Sequence, residues 1–149
     1  MNNRRIDTTM DIDADPKTVW HVLTDFSAYP DWNPFIRSIE GEPTQGSRLS
    51  VLIHPPGRKP MRFQPQVQAA ENPARLSWIG SLLMRGLFDG HHEFELHAHG
   101  QGTRLVHRES FSGLLVPLVW NKMEQATRAG FEAMNLTLKA RAEASASED

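Results

Sequence analysis

Cysteine is absent from all 149 residues. That absence rules out disulfides, thiolate metal sites and a cysteine nucleophile. Charge imbalance is lacking too: 16 lysines and arginines against 18 aspartates and glutamates leave a formal net charge of −2. Nothing in that balance draws the chain to nucleic acid. No apolar run approaches membrane-spanning length, and MNNRRIDTTM at the N-terminus has charge but no apolar stretch. A cytoplasmic protein without stable membrane insertion is therefore expected. Phosphate loops, nucleophile elbows and cofactor fingerprints are missing as well, so no cofactor is expected. With no repeat and no linker, residues 1–143 read as one domain, and residues 144–149 as a short disordered tail.

What remains is an ordered run of strand and helix signals. IDTTMDIDA (6–14) reads as an opening strand, and Asp15–Pro16 as the N-cap and first position of a short helix. Val19, Trp20, Leu23 and Phe26 supply its apolar stripe. In YPDWNPF (29–35), Pro30 and Pro34 forbid a regular helix across the whole segment. Strands follow at IRSIEG, RLSVLIH, MRFQPQVQAAE and ARLSWIG, separated by PTQG, HPPGRKP and Asn72–Pro73. Two more flank Gly100–Gln101, and one long helix from about Pro117 to Ala142 closes the chain. Val119, Met123, Ala126, Gly130, Met134 and Leu138 form its apolar stripe. The order predicts an α+β architecture: seven antiparallel strands, two short helices after the first, and a long helix covering one sheet face.

Four of the seven histidines fall in HHEFELHAH (91–99). A two-residue turn at Gly100–Gln101 pairs His97 with Arg104, Phe94 with His107, His92 with Glu109 and Gly90 with Phe111. This register puts Phe94, Leu96, Leu105 and Phe111 on one face, and Glu93, Glu95, His97, Arg104 and Arg108 on the other. His91, His97 and His99 then point to solvent, and only His92 points inward. Cross-strand Glu109 and diagonal His107 lie within its reach. Such a trio among apolar neighbours admits four readings: a self-satisfied polar brace, a ligand-orienting group, a proton-transfer site or a metal site. The metal reading is the weakest, because no fourth ligand is evident.

YPDWNPFI, the LSW strand, GHHEFEL with GTRLVHRESFSGLL, and the terminal GFEAMNLTLKARAE together resemble the SRPBCC superfamily. More narrowly they resemble its START-like, polyketide cyclase/dehydrase-like branch. The resemblance covers about Thr9 to Glu143. It implies a helix-grip fold, a seven-stranded curved sheet wrapped around the C-terminal helix with an elongated apolar cavity between. Its wall would come from Leu49, Val51, Ile53, Phe63, Val67, Trp78, His92, Phe94, His107, Glu109 and Phe111, with Met123, Thr127, Phe131 and Met134 of the helix. SLLMRGLF (81–88) and FSGLLVPLVW would form the mouth, with Trp120 as gate. Gly130 costs a helix roughly 0.8–1.0 kcal/mol relative to Ala, which asks for close packing or room for a ligand. Trp32 and Asn33 would anchor a Pro-bracketed turn.

Three functions fit this frame. The first is binding of a hydrophobic or aromatic small molecule or lipid, with transport or sequestration as extensions. The second is a cyclase or dehydratase-type enzyme using His92, His107 and Glu109 as acid/base groups. The third is a partner-binding module whose cavity is incidental.

Overall fold

The structure, a computed structural model, describes residues 4–82 and 84–147. Strand β1 (Arg4–Ile12) leads into helix α1 (Pro16–Thr24), a 3-10 turn (Phe26–Ala28) and helix α2 (Tyr29–Trp32). Asp15 caps α1 by accepting from the Thr18 amide, with Pro16 beginning the helix. Then come β2 (Ile36–Glu40), β3 (Ser50–Ile53), β4 (Met61–Phe63), β5 (Gln66–Glu71), β6 (Arg75–Leu82), β7 (Phe88–His99) and β8 (Gly102–Ser112). Helix α3 (Val116–Ser147) ends the chain. It outruns the expected end at Ala142, so residues 144–147, expected in the tail, are helical; residues 148–149 lie outside the described residues.

The curved antiparallel sheet and the long helix form the expected helix grip, with eight strands instead of seven. Five lie in the order β1-β8-β7-β6-β5 and three in the order β2-β3-β4. The extra strand comes from Pro65. MRFQPQVQAAE reads as one alternating strand, but proline has no amide to give to a ladder. The chain breaks there into β4 and β5, one in each sheet. The Pro65 carbonyl accepts from Leu49, and Arg48 bridges to Gln66 to join the sheets.

The β7–β8 register matches the sequence expectation pair for pair, from His99 opposite Gly102 to Gly90 opposite Phe111. One face was apolar enough that a slip by one residue would bury Glu95 and Arg104. The other face carries an ion-pair lattice in which Arg108 reaches Asp7, Glu93 and Glu95.

Along α3 the apolar stripe has two duties. Phe131, Met134, Leu138 and Ala142 are fully buried in the core. Val119, Met123 and Ala126, nearer the N-terminus, face a cavity. Gly130 divides them: a Cβ there would collide with the Phe35 ring, itself 2% exposed. Close packing is therefore what this glycine is for. Gly130→Ala should lower stability by roughly 1–2 kcal/mol, the overpacking strain outweighing the gain in helix propensity. A thermal melt at or above wild type would refute that account.

Candidate ligand-binding site

The two sheets and the first half of α3 enclose a cavity of about 810 Å³. Its walls include Val51, Ile53, Phe63, Trp78, Phe111 and Met123, and its polar members are few. Strand alternation delivers these side chains to one face, and paired glycines leave the room. Gly80 sits opposite Gly90 on β6 and β7, both on the wall. A Cβ on Gly90 would strike Glu109 Oε2, and one on Gly80 would press on Pro65 and Phe63. Two bare backbones side by side thus shape the inner surface.

At the inner end, Glu109 and His92 belong to a chain of hydrogen bonds that starts from a donor of fixed direction. Thr8 Oγ1 has one hydrogen and donates it to the His107 carbonyl, 2.8 Å away. It therefore accepts from Asn135 Nδ2 at 2.9 Å. Asn135 Oδ1 is then the acceptor, and His107 Nδ1 donates to it at 2.8 Å. A neutral His107 has no hydrogen left on Nε2, which accepts from His92 Nε2 at 2.7 Å. One proton is then left between His92 Nδ1 and Glu109 Oε1, 2.9 Å apart, and burial, which disfavours the charged pair, puts it on the carboxyl. Glu109 is a carboxylic acid, and its contact with His92 is a neutral hydrogen bond.

Burial explains the neutrality of all three groups. His107 lies between the rings of Phe94 at 4.3 Å and Phe131 at 4.0 Å, and Trp78 stacks on His92 at 5.0 Å. Desolvation holds His92 down to about 3, with His91 adding repulsion, and holds His107 well below its ordinary value. The same burial pushes Glu109 up to about 8. Its side chain keeps 15% of its surface accessible, and the residue lines the cavity. Oε2 lies over Gly90, with its partner oxygen committed to His92.

Of the sequence-derived wall residues, Val51, Ile53, Phe63, Trp78, His92, Glu109, Phe111, Met123 and Thr127 line the cavity. Leu49, Val67, Phe94, His107, Phe131 and Met134 lie behind that wall, fully packed in the core. His107 therefore cannot touch a ligand; it acts only through His92. Trp120 is no gate, being 9% exposed and packed edge-on against Phe111. From the expected mouth segments, Leu82, Phe88, Leu115 and Val119 do reach the cavity, and Leu83 lies outside the described residues. Sequence reasoning missed Phe35, Met61, Gly80 and the basic side chains of Arg58, Lys59 and Lys122 on the wall. The facing glycines were a readable signal; Phe35, Arg58 and Lys59 come from loops whose path only the fold sets, and Met61 and Lys122 lie near the starts of β4 and α3. Asn135 and Thr8 were missed as well, one hidden within an apolar helix stripe and the other on the first strand.

Trp32 and Asn33 fill a structural role: Asn33 Oδ1 accepts from the amides of Phe35 and Ile36, and Trp32 packs on Tyr29. His91, His97 and His99 are exposed on the outer face. Changing these three together to Gln should leave the melting temperature within about 2 °C of wild type. A larger loss, or loss of a bound molecule, would contradict their outward placement. Both His92 nitrogens are engaged, and among the described residues no group of three or more His, Asp or Glu is arranged to hold a metal. No helix among them is long and apolar enough to cross a membrane.

Several solved structures share this architecture. The Zhui aromatase/cyclase from Streptomyces sp. R1128 superposes with a TM-score of 0.76 at 18% identity, covering 95% of this chain and 94% of its own. A protein from Thermus thermophilus gives 0.75 at 17% identity, with 95% and 99% covered. The di-domain ARO/CYC BexL gives 0.71 at 13% identity, with 97% of this chain and 50% of its own covered. At such identities the likeness is one of fold. No curated protein matches the sequence at a significant level. The family described as polyketide cyclase / dehydrase and lipid transport matches residues 3–143, nearly the whole chain, and the protein belongs to that family.

Proposed function

We propose that this protein binds a hydrophobic or aromatic small molecule, lipids included, in the cavity between α3 and the sheets. One observation carries the reading: about 810 Å³ of largely apolar space with an uncharged acid at its inner end. Pockets of roughly 300–1,000 Å³ with a few placed polar groups are the usual form of small-molecule sites. Because Glu109 commits its proton to His92, its Oε2 is an acceptor, and the ligand should present a hydroxyl or N–H there. His92, at about 3, does not take up a proton near neutral pH, so the resting network orients a ligand better than it abstracts a proton from one.

Mass spectrometry of the purified protein, native and then denatured, tests occupancy directly. Tryptophan quenching with 1-naphthol and naphthalene tests the polar end, since Trp78 lines the wall. Naphthol should bind about tenfold tighter, one hydrogen bond's worth, and Glu109→Leu should erase that difference. If neither aromatic binds and nothing co-purifies, the reading fails.

A cyclase or dehydratase-type reaction is the second reading, favoured by one specific observation. An acid at about 8 lies near the working pH, as a general acid requires. Glu109 would touch the substrate and donate to it the proton now bonded to His92, and His107 would position His92. Glu109→Gln separates the two readings, because the amide can still donate to His92 and present its oxygen to the cavity. Binding retained with turnover lost would favour the enzyme. Binding retained with no turnover to lose would favour the carrier.

A further inference from the structure

We infer that the ligand carries an anionic group at the end opposite Glu109, seated at the cavity mouth against Arg58, Lys59 and Lys122. The inference rests on the cavity reading above and specifies the class of molecule. All three cations are exposed and all three line the cavity. Among the described residues, the only carboxyl group on that wall is Glu109, which burial keeps uncharged, so the cavity is positive at its mouth and neutral at its inner end. Among the described residues, no carboxylate comes within 4.0 Å of any of the three; Arg4, Lys17, Arg37, Arg48, Arg62, Arg85 and Arg141 are unpaired as well, but they do not line the cavity. Apolar walls around them strengthen the field an incoming anion meets.

Their placement is fixed by the fold. The amide of Arg58 closes a turn onto the Pro55 carbonyl at 3.0 Å, and Pro55, Pro56 and Pro60 stiffen the loop between β3 and β4. The Arg58 guanidinium donates across the mouth to the Lys122 carbonyl, tying that loop to α3. Cations from two elements are thereby gathered on one rim with no counter-charge of their own, an arrangement that an anion relieves. Along α3, Lys122 precedes Phe131 by nine residues, roughly 13 Å at the rise of an α-helix. The Phe131 ring centre is 5.1 Å from that of His92. The fitting molecule is therefore an amphiphile: an apolar body with a carboxylate or similar anion at one end and a hydroxyl at the other. Hydroxylated aromatic acids and hydroxy fatty acids have this chemistry.

The test compares 12-hydroxydodecanoate with its uncharged methyl ester by calorimetry at pH 7. Wild type should bind the acid at least tenfold more tightly, and added salt should shrink that ratio. In Lys59→Gln/Lys122→Gln, which keeps the Arg58 bridge and alters only exposed side chains, the ratio should fall to about two or less. The ester's affinity should fall far less than the acid's. Equal affinities in wild type, or a ratio that survives in the variant, would overturn the anion site while leaving the cavity reading intact. If neither compound binds while 1-naphthol does, the anion site falls and the cavity reading stands; if none of the three binds and nothing co-purifies, both fall. Sedimentation with mixed phosphatidylcholine and phosphatidylglycerol vesicles asks whether the anion is instead a membrane surface. Vesicle binding lost in the variant, with the acid-to-ester ratio intact, would also overturn the proposal.

Discussion

Glu109→Gln is expected to melt higher than wild type at pH 8.5, by roughly 5–10 °C, and to lose that advantage at pH 4.5. The sign follows from proton linkage. Burial raises the folded-state value of Glu109 to about 8 from its ordinary 4.5. Between these values the folded chain holds a proton that the unfolded chain has released, so stability falls as pH rises. Below 4.5 both states are protonated and above 8 neither is, so the loss accumulates across that window and then levels off. An amide has no such term and keeps the hydrogen bond to His92. A gain of roughly 2–4 kcal/mol above pH 8 corresponds to that shift in melting temperature for a chain of this size. His92 and His107 work in the opposite direction. Their folded values are lowered, so protonation of the unfolded chain below about 6.5 destabilises the protein as pH falls. Among these three groups, wild-type stability should therefore peak near pH 6.5. The measurement is a series of thermal melts of both proteins from pH 4.5 to 9. Parallel curves would mean that Glu109 is ionised in the fold and that the proton assignment is wrong. An acid kept neutral at a cost in stability is the kind of group a binding or catalytic site retains.

The second large effect is expected from Phe131→Ala, a loss of roughly 3–5 kcal/mol and about 10 °C in melting temperature. Phe131 is fully buried, meets Phe35 edge-on at 5.4 Å, and lies flat on His107 at 4.0 Å. Its removal opens a void beside two imidazoles that are neutral only because they are dry. Water entering there would let both histidines titrate closer to their ordinary range, visible in histidine proton shifts across a pH series. Leu136→Ala on the same helix, at a side chain 59% exposed, should change stability by no more than about 0.5 kcal/mol. Loss of less than about 1 kcal/mol in Phe131→Ala would show that the ring is not what seals the histidines.

The sequence alone settled whatever depends on neighbours a few residues away or on one strand facing another. Asp15–Pro16 started a helix where its cap required one, and the apolar alternation of β7 and β8 allowed a single register, which put His92 opposite Glu109. From the residue types on that face, a buried polar trio was visible, and so was the division of the four clustered histidines between inside and outside. Pro65 was equally visible, yet its effect was not. Alternation continues through it, and only the absence of an amide in the ladder splits one expected strand into β4 and β5. The tertiary structure alone decided which apolar side chains meet space and which meet each other. Met123 and Met134 are the same residue on the same stripe, but one lines a cavity and the other is sealed in the core. It also brought Asn135 and Thr8 to His107 and so fixed the tautomer of that imidazole. Periodicity records the direction in which a side chain points. Whether another chain segment stands close enough to fill the space in front of it depends on how far apart the sheets and the helix pack, and no local pattern encodes that distance.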